Sequence, residues 1–165
     1  MMSVYILGID PGSKITGYGV IKKVGPIVEY IEAGIIKTKE KEKSLIFFEI
    51  FDAIEKILDR FPIEQAACES QFFCKNIQAA MTISNAKTCL FIACGKKQIP
   101  VFEYAPKKAK IAVTGNGASE KQQVQKMLHY HLKLPQESLP LDASDALSLA
   151  LCHAFQLRPI QVKPC

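Results

Sequence analysis

Val4-Tyr5-Ile6-Leu7-Gly8-Ile9-Asp10-Pro11-Gly12-Ser13, with Thr16-Gly17-Tyr18-Gly19-Val20 close behind it, is the stretch that decides how this chain folds. An apolar run with strand character ends on a carboxylate. A Pro-Gly turn follows, then a second short run of glycines with aromatic and branched residues. The pattern predicts a buried strand with Asp10 at its tip, beside a turn that leaves room for a ligand. A carboxylate so placed costs free energy unless a lysine, an arginine or a metal ion compensates it.

Outward from that stretch, three strand-like runs cover residues 4–10, 16–24 and 27–38. The turns between them carry Pro11-Gly12 and Gly25-Pro26, which predicts two successive hairpins. Residues 43–61 repeat apolar side chains at helical spacing up to Pro62. Ala66-Ala67-Cys68-Glu69 reads as a short buried strand that, like the first, ends on an acid. A long helix is expected over residues 76–97, with Ile77, Ala80, Met81, Leu90, Ala93 and Cys94 on its apolar stripe, and another short strand over 100–104. Lys107, Lys108 and Lys110 form a basic segment leading into Thr114-Gly115-Asn116-Gly117. Ser119 is expected to cap a helix reaching Leu132, residues 133–141 form a loop, and residues 142–155 form the last helix. Hairpins followed by alternating helices and strands imply an α/β fold, a mixed sheet with helices packed on it. One domain is expected over residues 1–157, with a short tail at 158–165.

Composition bounds the function. At 165 residues the chain can bury a full core, and 48% hydrophobic with 22% charged residues is ordinary for a globular protein. No apolar stretch reaches the roughly 18 residues that span a bilayer. The first residues lack a signal peptide's basic-then-apolar layout, so a cytoplasmic protein with no membrane partner is expected. The net charge of +5 suits a polyanionic partner or an ordinary solvated surface. Nearly all the basic residues are lysine, a point charge suited to phosphates, whereas bidentate reading of guanine favours arginine. The six cysteines include no C-x-x-C pair and no zinc-like spacing with histidine. They are read as reduced thiols, with Cys89, Cys94 and Cys152 packing as small hydrophobes.

The acids carry the chemistry. In open sheets of this kind, sites gather at the strand ends, where Asp10 and Glu69 belong. Asp142 and Asp145, three apart at the start of the last helix, share one face there. Taken singly, Asp142 could be only an N-cap, Asp145 a first-turn acid and Asp10 a turn-forming residue before proline. Glu69 is harder to explain that way, because an acid closing an Ala-Ala-Cys strand gains nothing from the core. Four acids converging on one edge repel one another unless cations bind. Hard oxygen ligands suit Mg²⁺ or Mn²⁺. A two-ion carboxylate cluster is a phosphoryl-transfer arrangement, in which one ion generates the nucleophile and the other stabilises the leaving oxygen.

Gly8-Ile9-Asp10-Pro11-Gly12, Thr16-Gly17-Tyr18-Gly19, Glu69, and Asp142-Ala143-x-Asp145-Ala146-Leu147 together resemble the RuvC family of Holliday junction resolvases. Phe72, Lys75-Asn76, residues 100–104, Gly115-x-Gly117, and Glu120-Lys121-x-x-Val124-Gln125 extend the likeness. The likeness runs in order over residues 4–155. It implies an RNase H-like fold, a five-stranded sheet with helices on both faces. It also implies a homodimer in which each subunit nicks one of two symmetry-related strands of a four-way DNA junction. Cleavage would depend on Mg²⁺ and leave 5′-phosphate and 3′-hydroxyl ends, and a branch-migration helicase complex would be a partner. By position, Asp10, Glu69, Asp142 and Asp145 fall on the catalytic and metal-binding acids. Phe72 falls on an aromatic that stacks on an unpaired base, and Lys110 and Lys121 on basic residues important for catalysis or DNA handling. Two departures stand out: Ser70 follows Glu69 where glutamine is common, and Ser84-Asn85-Ala86-Lys87-Thr88 replaces a Gly-Gln-Ala-Arg-Gly run on a helix suited to dimer packing. Three other readings remain open at this point. They are another RNase H-like nuclease acting on RNA–DNA hybrids or on ends, a non-cleaving junction-binding protein, and an ATPase that uses the Asp-Pro-Gly turn.

Overall fold

The structure is a computed structural model that describes residues 3–70, 77–134 and 139–157. Phe72 and the 158–165 segment lie outside the described residues. Five strands form one mixed sheet in the order β3-β2-β1-β4-β5. They are β1 (Ser3–Asp10), β2 (Ile15–Val24), β3 (Ile27–Lys37), β4 (Gln65–Glu69) and β5 (Val101–Tyr104). The first three are antiparallel neighbours, as two hairpins require, while β4 runs parallel to both β1 and β5. Helices α1 (Lys43–Arg60) and α2 (Ile77–Lys96) provide the crossovers that parallel strands need. Helices α3 (Pro106–Thr114), α4 (Lys121–Leu132) and α5 (Leu141–Gln156) complete the chain.

The two-residue period of the strands sorts the core into two layers. Leu7 and Ile9 of β1, with Ala66 and Cys68 of β4, face α1 and α2 among Ile50, Ile54, Leu90 and Ala93. Ile6 of β1 faces the other way, onto Leu128 of α4 and Leu147 and Leu151 of α5. Ala67 of β4 likewise packs with Leu149 and Cys152 of α5. Helix α5 is therefore buried nearly all round, from Ala143 to Ala154. By the same alternation Asp10 and Glu69, the last residues of β1 and β4, belong to the α5 side of the sheet.

Several expectations are corrected. The lysine-rich stretch is a helix, α3, with Pro106 in its first turn and Gly115 at φ 78° ending it, the usual proline-in, glycine-out punctuation. Ser119 does not cap α4: its hydroxyl donates to Thr114 Oγ1 at 2.8 Å, and Glu120 holds the cap position. Asp142 is not an N-cap either, because α5 starts at Leu141 behind Pro140 and Asp142 sits within the first turn. Ile77 and Met81 leave the apolar stripe of α2 for solvent, at 73% and 60% exposed, so that only the half from Ala86 to Cys94 packs on the sheet. Phe155 is also part-exposed at the end of α5. Cys89, Cys94 and Cys152 are buried free thiols, as expected. Among the described residues no helix is long and apolar enough to cross a membrane.

Candidate active site

The turn after Asp10 is held shut by two threonines. Buried Thr16 accepts from the Gly12 amide at 3.2 Å and donates to the Gly12 carbonyl at 2.8 Å through the same hydroxyl. Thr38, just past β3, donates to the Ser13 carbonyl at 2.7 Å. These bonds satisfy backbone groups that a turn would otherwise leave to water, and they fix the exit of β1 where Asp10 sits.

Across the sheet, glycines set the height of α5. Asp10 pairs with Gly17 and Gly8 with Gly19 in the β1–β2 register. A Cβ on Gly8 would stand 2.0 Å from the Ala146 carbonyl oxygen, and one on Gly17 would stand 1.9 Å from that of Asp142. Both distances are far inside van der Waals contact with backbone that cannot swing aside. The first turn of α5 thus lies directly on the bare sheet, and the Thr-Gly-Tyr-Gly run exists to let it do so. This close docking delivers Asp142 and Asp145 to the strand end that carries Asp10.

The electrostatics register the convergence. Asp10 is pushed up to about 7, first by burial and then by the charges of Asp145, Glu69 and Asp142, while Lys121 opposes the rise. Glu69 is raised by burial and by Asp145, with Lys87 opposing. Asp145 is raised by burial and by Asp142, with Lys121 and Lys110 opposing. The four acids therefore share one field. Lys121 Nζ lies 3.7 Å from Asp145 Oδ2. Lys110 and Lys121 line a 200 Å³ cavity together with Glu69 and Asp145. Of the residues singled out in the sequence, all four acids and both lysines are thus brought to one place, with Phe72 outside the described residues.

Among the described residues, no group of three His, Cys, Asp or Glu side chains forms a ready-made ligand set for one ion. The donor chemistry nevertheless fits a hard divalent cation: oxygen ligands only, mutual repulsion that a cation would relieve, and one carboxyl poised to ionise near neutrality. Sequence reasoning gave no site role to Thr16 or Gly17, although the Thr-Gly-Tyr-Gly spacing was there to be read. His153, given no chemistry from the sequence, is buried between Tyr104 and Gln65 and does not face the acids.

Comparison with known proteins agrees with this geometry. The family model "Crossover junction endodeoxyribonuclease RuvC" matches residues 6–153. The chain is 42% identical to the crossover junction endodeoxyribonuclease RuvC of Vibrio campbellii over 90% of its own length and 86% of the relative's. It is 39% identical to that of Thermotoga maritima over 98% and 97%. Among solved structures, Thermus thermophilus RuvC in complex with a Holliday junction substrate superposes with a TM-score of 0.86 at 30% identity, covering 92% of this chain and 93% of that one. The yeast mitochondrial Holliday junction resolvase Ydc2, at 14% identity and a TM-score of 0.65, shares the fold. The sheet order, the two helical layers and the acids at the strand ends are those of an RNase H-like domain, and the chain belongs to the RuvC family of crossover junction endodeoxyribonucleases.

Proposed function

We propose that this protein resolves Holliday junctions as a homodimer, by paired Mg²⁺-dependent nicks. The observation that carries the reading is the meeting of Asp10, Glu69, Asp142 and Asp145 in one electrostatic field, with Lys110 and Lys121 beside them. A pure DNA-binding protein gains nothing from four negative charges facing phosphates. Asp10, Glu69, Asp142 and Asp145 would hold two Mg²⁺ ions, with Mn²⁺ a possible substitute. Bound there, the ions would supply charge neutralisation and the activation of water for in-line displacement at phosphorus.

The chain's own residues supply the rest. Lys110 and Lys121 offset the charge of the phosphate as it becomes pentavalent, which orients the strand over the carboxylates. Phe72, three residues beyond Glu69, offers a stacking platform for a base unpaired at the crossover. The exposed apolar residues of α2, Ile77, Met81 and Ile92, supply the surface that pairs two copies, and two coordinated nicks need two sites. A branch-migration helicase complex is the proposed partner that delivers the dimer to junctions.

The test uses a synthetic four-way junction, a linear duplex and an RNA–DNA hybrid, each with Mg²⁺, with EDTA, and with Asp10→Asn. Paired nicks on the junction alone, lost with EDTA and in the variant, are the expected result. Junction binding without cleavage under any divalent ion would make the protein a binder. Cleavage of the hybrid instead would keep the acids and change the substrate. Sedimentation at cleavage-active concentrations tests the dimer, and a strictly monomeric active species would remove it from the proposal.

A further inference from the structure

The carboxylates stand in the middle of a row of strand ends, in the sheet order β3-β2-β1-β4-β5. Lys110 and Lys121 meet them from the side of Glu69 and Asp145. The opposite side of the row, beyond Asp10, is formed by the β1–β2 turn and the end of β3, and it carries Lys14 and Lys37. Asp10 pairs with Gly17 and Gly17 with Ile35, so these three share one face of the sheet. Lys37 lies two residues beyond Ile35 and pairs with Ile15, which returns it to that face. Ala33, on the same alternation, packs into the α4–α5 layer. With strands about 4.8 Å apart and a rise of about 3.3 Å per residue, the Lys37 Cα lies about 12 Å from that of Asp10.

Lys37 and Lys14 are both exposed, and among the described residues neither forms an ion pair. Lys121, by contrast, has Asp145 at 3.7 Å. Ile15 is 38% exposed beside Lys37, and Leu141 at the start of α5 is 49% exposed, so α5 leaves this corner of the face open. Two hydrogen bonds hold the two lysines together. The Thr38 amide donates to the Lys14 carbonyl at 3.2 Å, and the Thr38 hydroxyl donates to the Ser13 carbonyl at 2.7 Å. The neighbouring acids are engaged or offset. Glu49 accepts from the Lys39 amide at 2.9 Å, Glu42 accepts from the Leu45 amide at 3.1 Å, and exposed Glu40 is flanked by Lys39 and Lys41.

A chain of phosphates fits this row. Four acids repel a polyanion, so a strand laid across them needs cations on both flanks to stay in place. Lys110 and Lys121 supply one flank only. A lysine is a flexible point charge suited to a phosphate. At about 3.4 Å per nucleotide, a distance of about 12 Å puts Lys37 within about four nucleotides of the scissile phosphate. We propose that Lys37, with Lys14 beside it, holds the backbone of the cleaved DNA strand on the far side of the cut from Lys110 and Lys121. The proposal rests on the nuclease reading above and adds to it the second point that sets the strand over the carboxylates.

The test neutralises single phosphates, as methylphosphonates, at each of about four positions on either side of the cut in a four-way junction. Single-turnover cleavage at subsaturating protein is measured for wild type, Lys37→Met, Lys37→Arg and Lys56→Met. Lys56, paired with Asp52 at 2.6 Å on α1, is the control for the loss of one positive charge. In the wild type, one neutralised phosphate on the far side should slow cleavage about tenfold, the scale of one charge-assisted hydrogen bond. Lys37→Met should be about tenfold slow on the unmodified junction and indifferent to that same phosphate. Lys37→Arg and Lys56→Met should behave as wild type. The slope of log affinity against log salt should shrink by about one per subunit in Lys37→Met, and further when Lys14→Met is added. Thermal unfolding of each variant checks the fold. A Lys37→Met protein that keeps the wild-type slope and phosphate sensitivity, or a Lys56→Met protein that loses as much, would overturn the second flank and leave the nuclease reading standing. A wild type that cuts no junction would remove the nuclease reading, and the second flank with it.

Discussion

Gly17 lies against the backbone of Asp142, so closely that a methyl group on Gly17 would stand 1.9 Å from the Asp142 carbonyl oxygen and 2.3 Å from its carbon. Since Gly17 also pairs with Asp10 across β1 and β2, one glycine sets the spacing of two candidate metal ligands. Gly17→Ala must lift the first turn of α5 off the sheet. The expected cost is ~1–3 kcal/mol of stability, as for other overpacked sites. A displacement near 1 Å at the carboxylates should lower junction cleavage by about 100-fold. Gly95→Ala is the control, because a Cβ there meets nothing within 4 Å, and it should leave cleavage unchanged. Melting temperature and single-turnover cleavage of the two variants check the pair of statements. A Gly17→Ala protein with full activity would show that α5 can be raised without moving the site.

Asp10 makes metal-free stability depend on pH. Its folded pKa of about 7 stands well above the usual carboxylate value, so the folded state holds the proton more tightly than the unfolded chain. The stabilising effect of that proton is present at low pH and is lost as pH rises from about 4 through about 7. Asp10→Asn removes the share that Asp10 contributes, while Glu69 and Asp145, also raised by burial, keep theirs. In EDTA at pH 8 the variant should melt above wild type, and at pH 4 the two should converge. Mg²⁺ at pH 8 should raise the wild type and leave Asp10→Asn nearly unmoved. A wild type already more stable than the variant in EDTA at pH 8 would contradict the crowding of charge at this edge.

The fold was largely legible because its signals were local and periodic. The hairpins followed from two Gly/Pro turns between β-rich runs, and the α5 stripe from Leu147, Ala150 and Leu151. The acids were legible because each closes or opens an element with an apolar interior. Helix α3 was missed because its lysines outweighed its two buried residues, Ala109 and Val113, even though Pro106 and Gly115 marked its ends. The caps were misjudged for a related reason. Ser119 and Asp142 are good capping types, but a hydroxyl bond to Thr114 and the docking of α5 on glycine took them elsewhere. The exposed half of α2 was unreadable in another way, since helical spacing alone does not say whether an apolar residue meets its own core or another molecule.

Lys121 should act on the acids through its charge. Its ammonium, 3.7 Å from Asp145, holds down the pKa values of both Asp145 and Asp10. Lys121→Met should therefore move the pH of half-maximal cleavage upward, and Lys121→Arg should hold it near the wild-type position. Junction binding, dominated by many phosphate contacts, should change little in either variant. The check is a pH–rate profile at saturating Mg²⁺ alongside a binding titration. An unshifted profile in Lys121→Met would confine this lysine to holding DNA.

His153 ties the far end of α5 to the sheet. Its Nδ1 lies 2.6 Å from the Tyr104 hydroxyl and its Nε2 lies 2.6 Å from Gln65 Oε1. Because the Gln65 oxygen can only accept, Nε2 carries the proton, and the Tyr104 hydroxyl then donates to Nδ1. This neutral tautomer fills both bonds, while Phe102 stacks on the ring at 4.3 Å. Burial drives the His153 pKa down to about 4. Its contribution to stability is therefore complete above the unfolded value near 6.5 and is lost as pH falls towards 4, opposite in sign to that of Asp10. His153→Leu leaves the Tyr104 hydroxyl and the Gln65 oxygen without these partners, at an expected cost of ~2–4 kcal/mol at pH 7. Urea unfolding at pH 7 and pH 5, comparing His153→Leu with its parent in an Asp10→Asn background so that the remaining titration of Glu69 and Asp145 cancels, measures it. The loss should be smaller at pH 5, where the wild-type histidine already costs stability by staying neutral. An equal loss at both pH values would mean that the ring only fills space and that its protonation is not coupled to the fold.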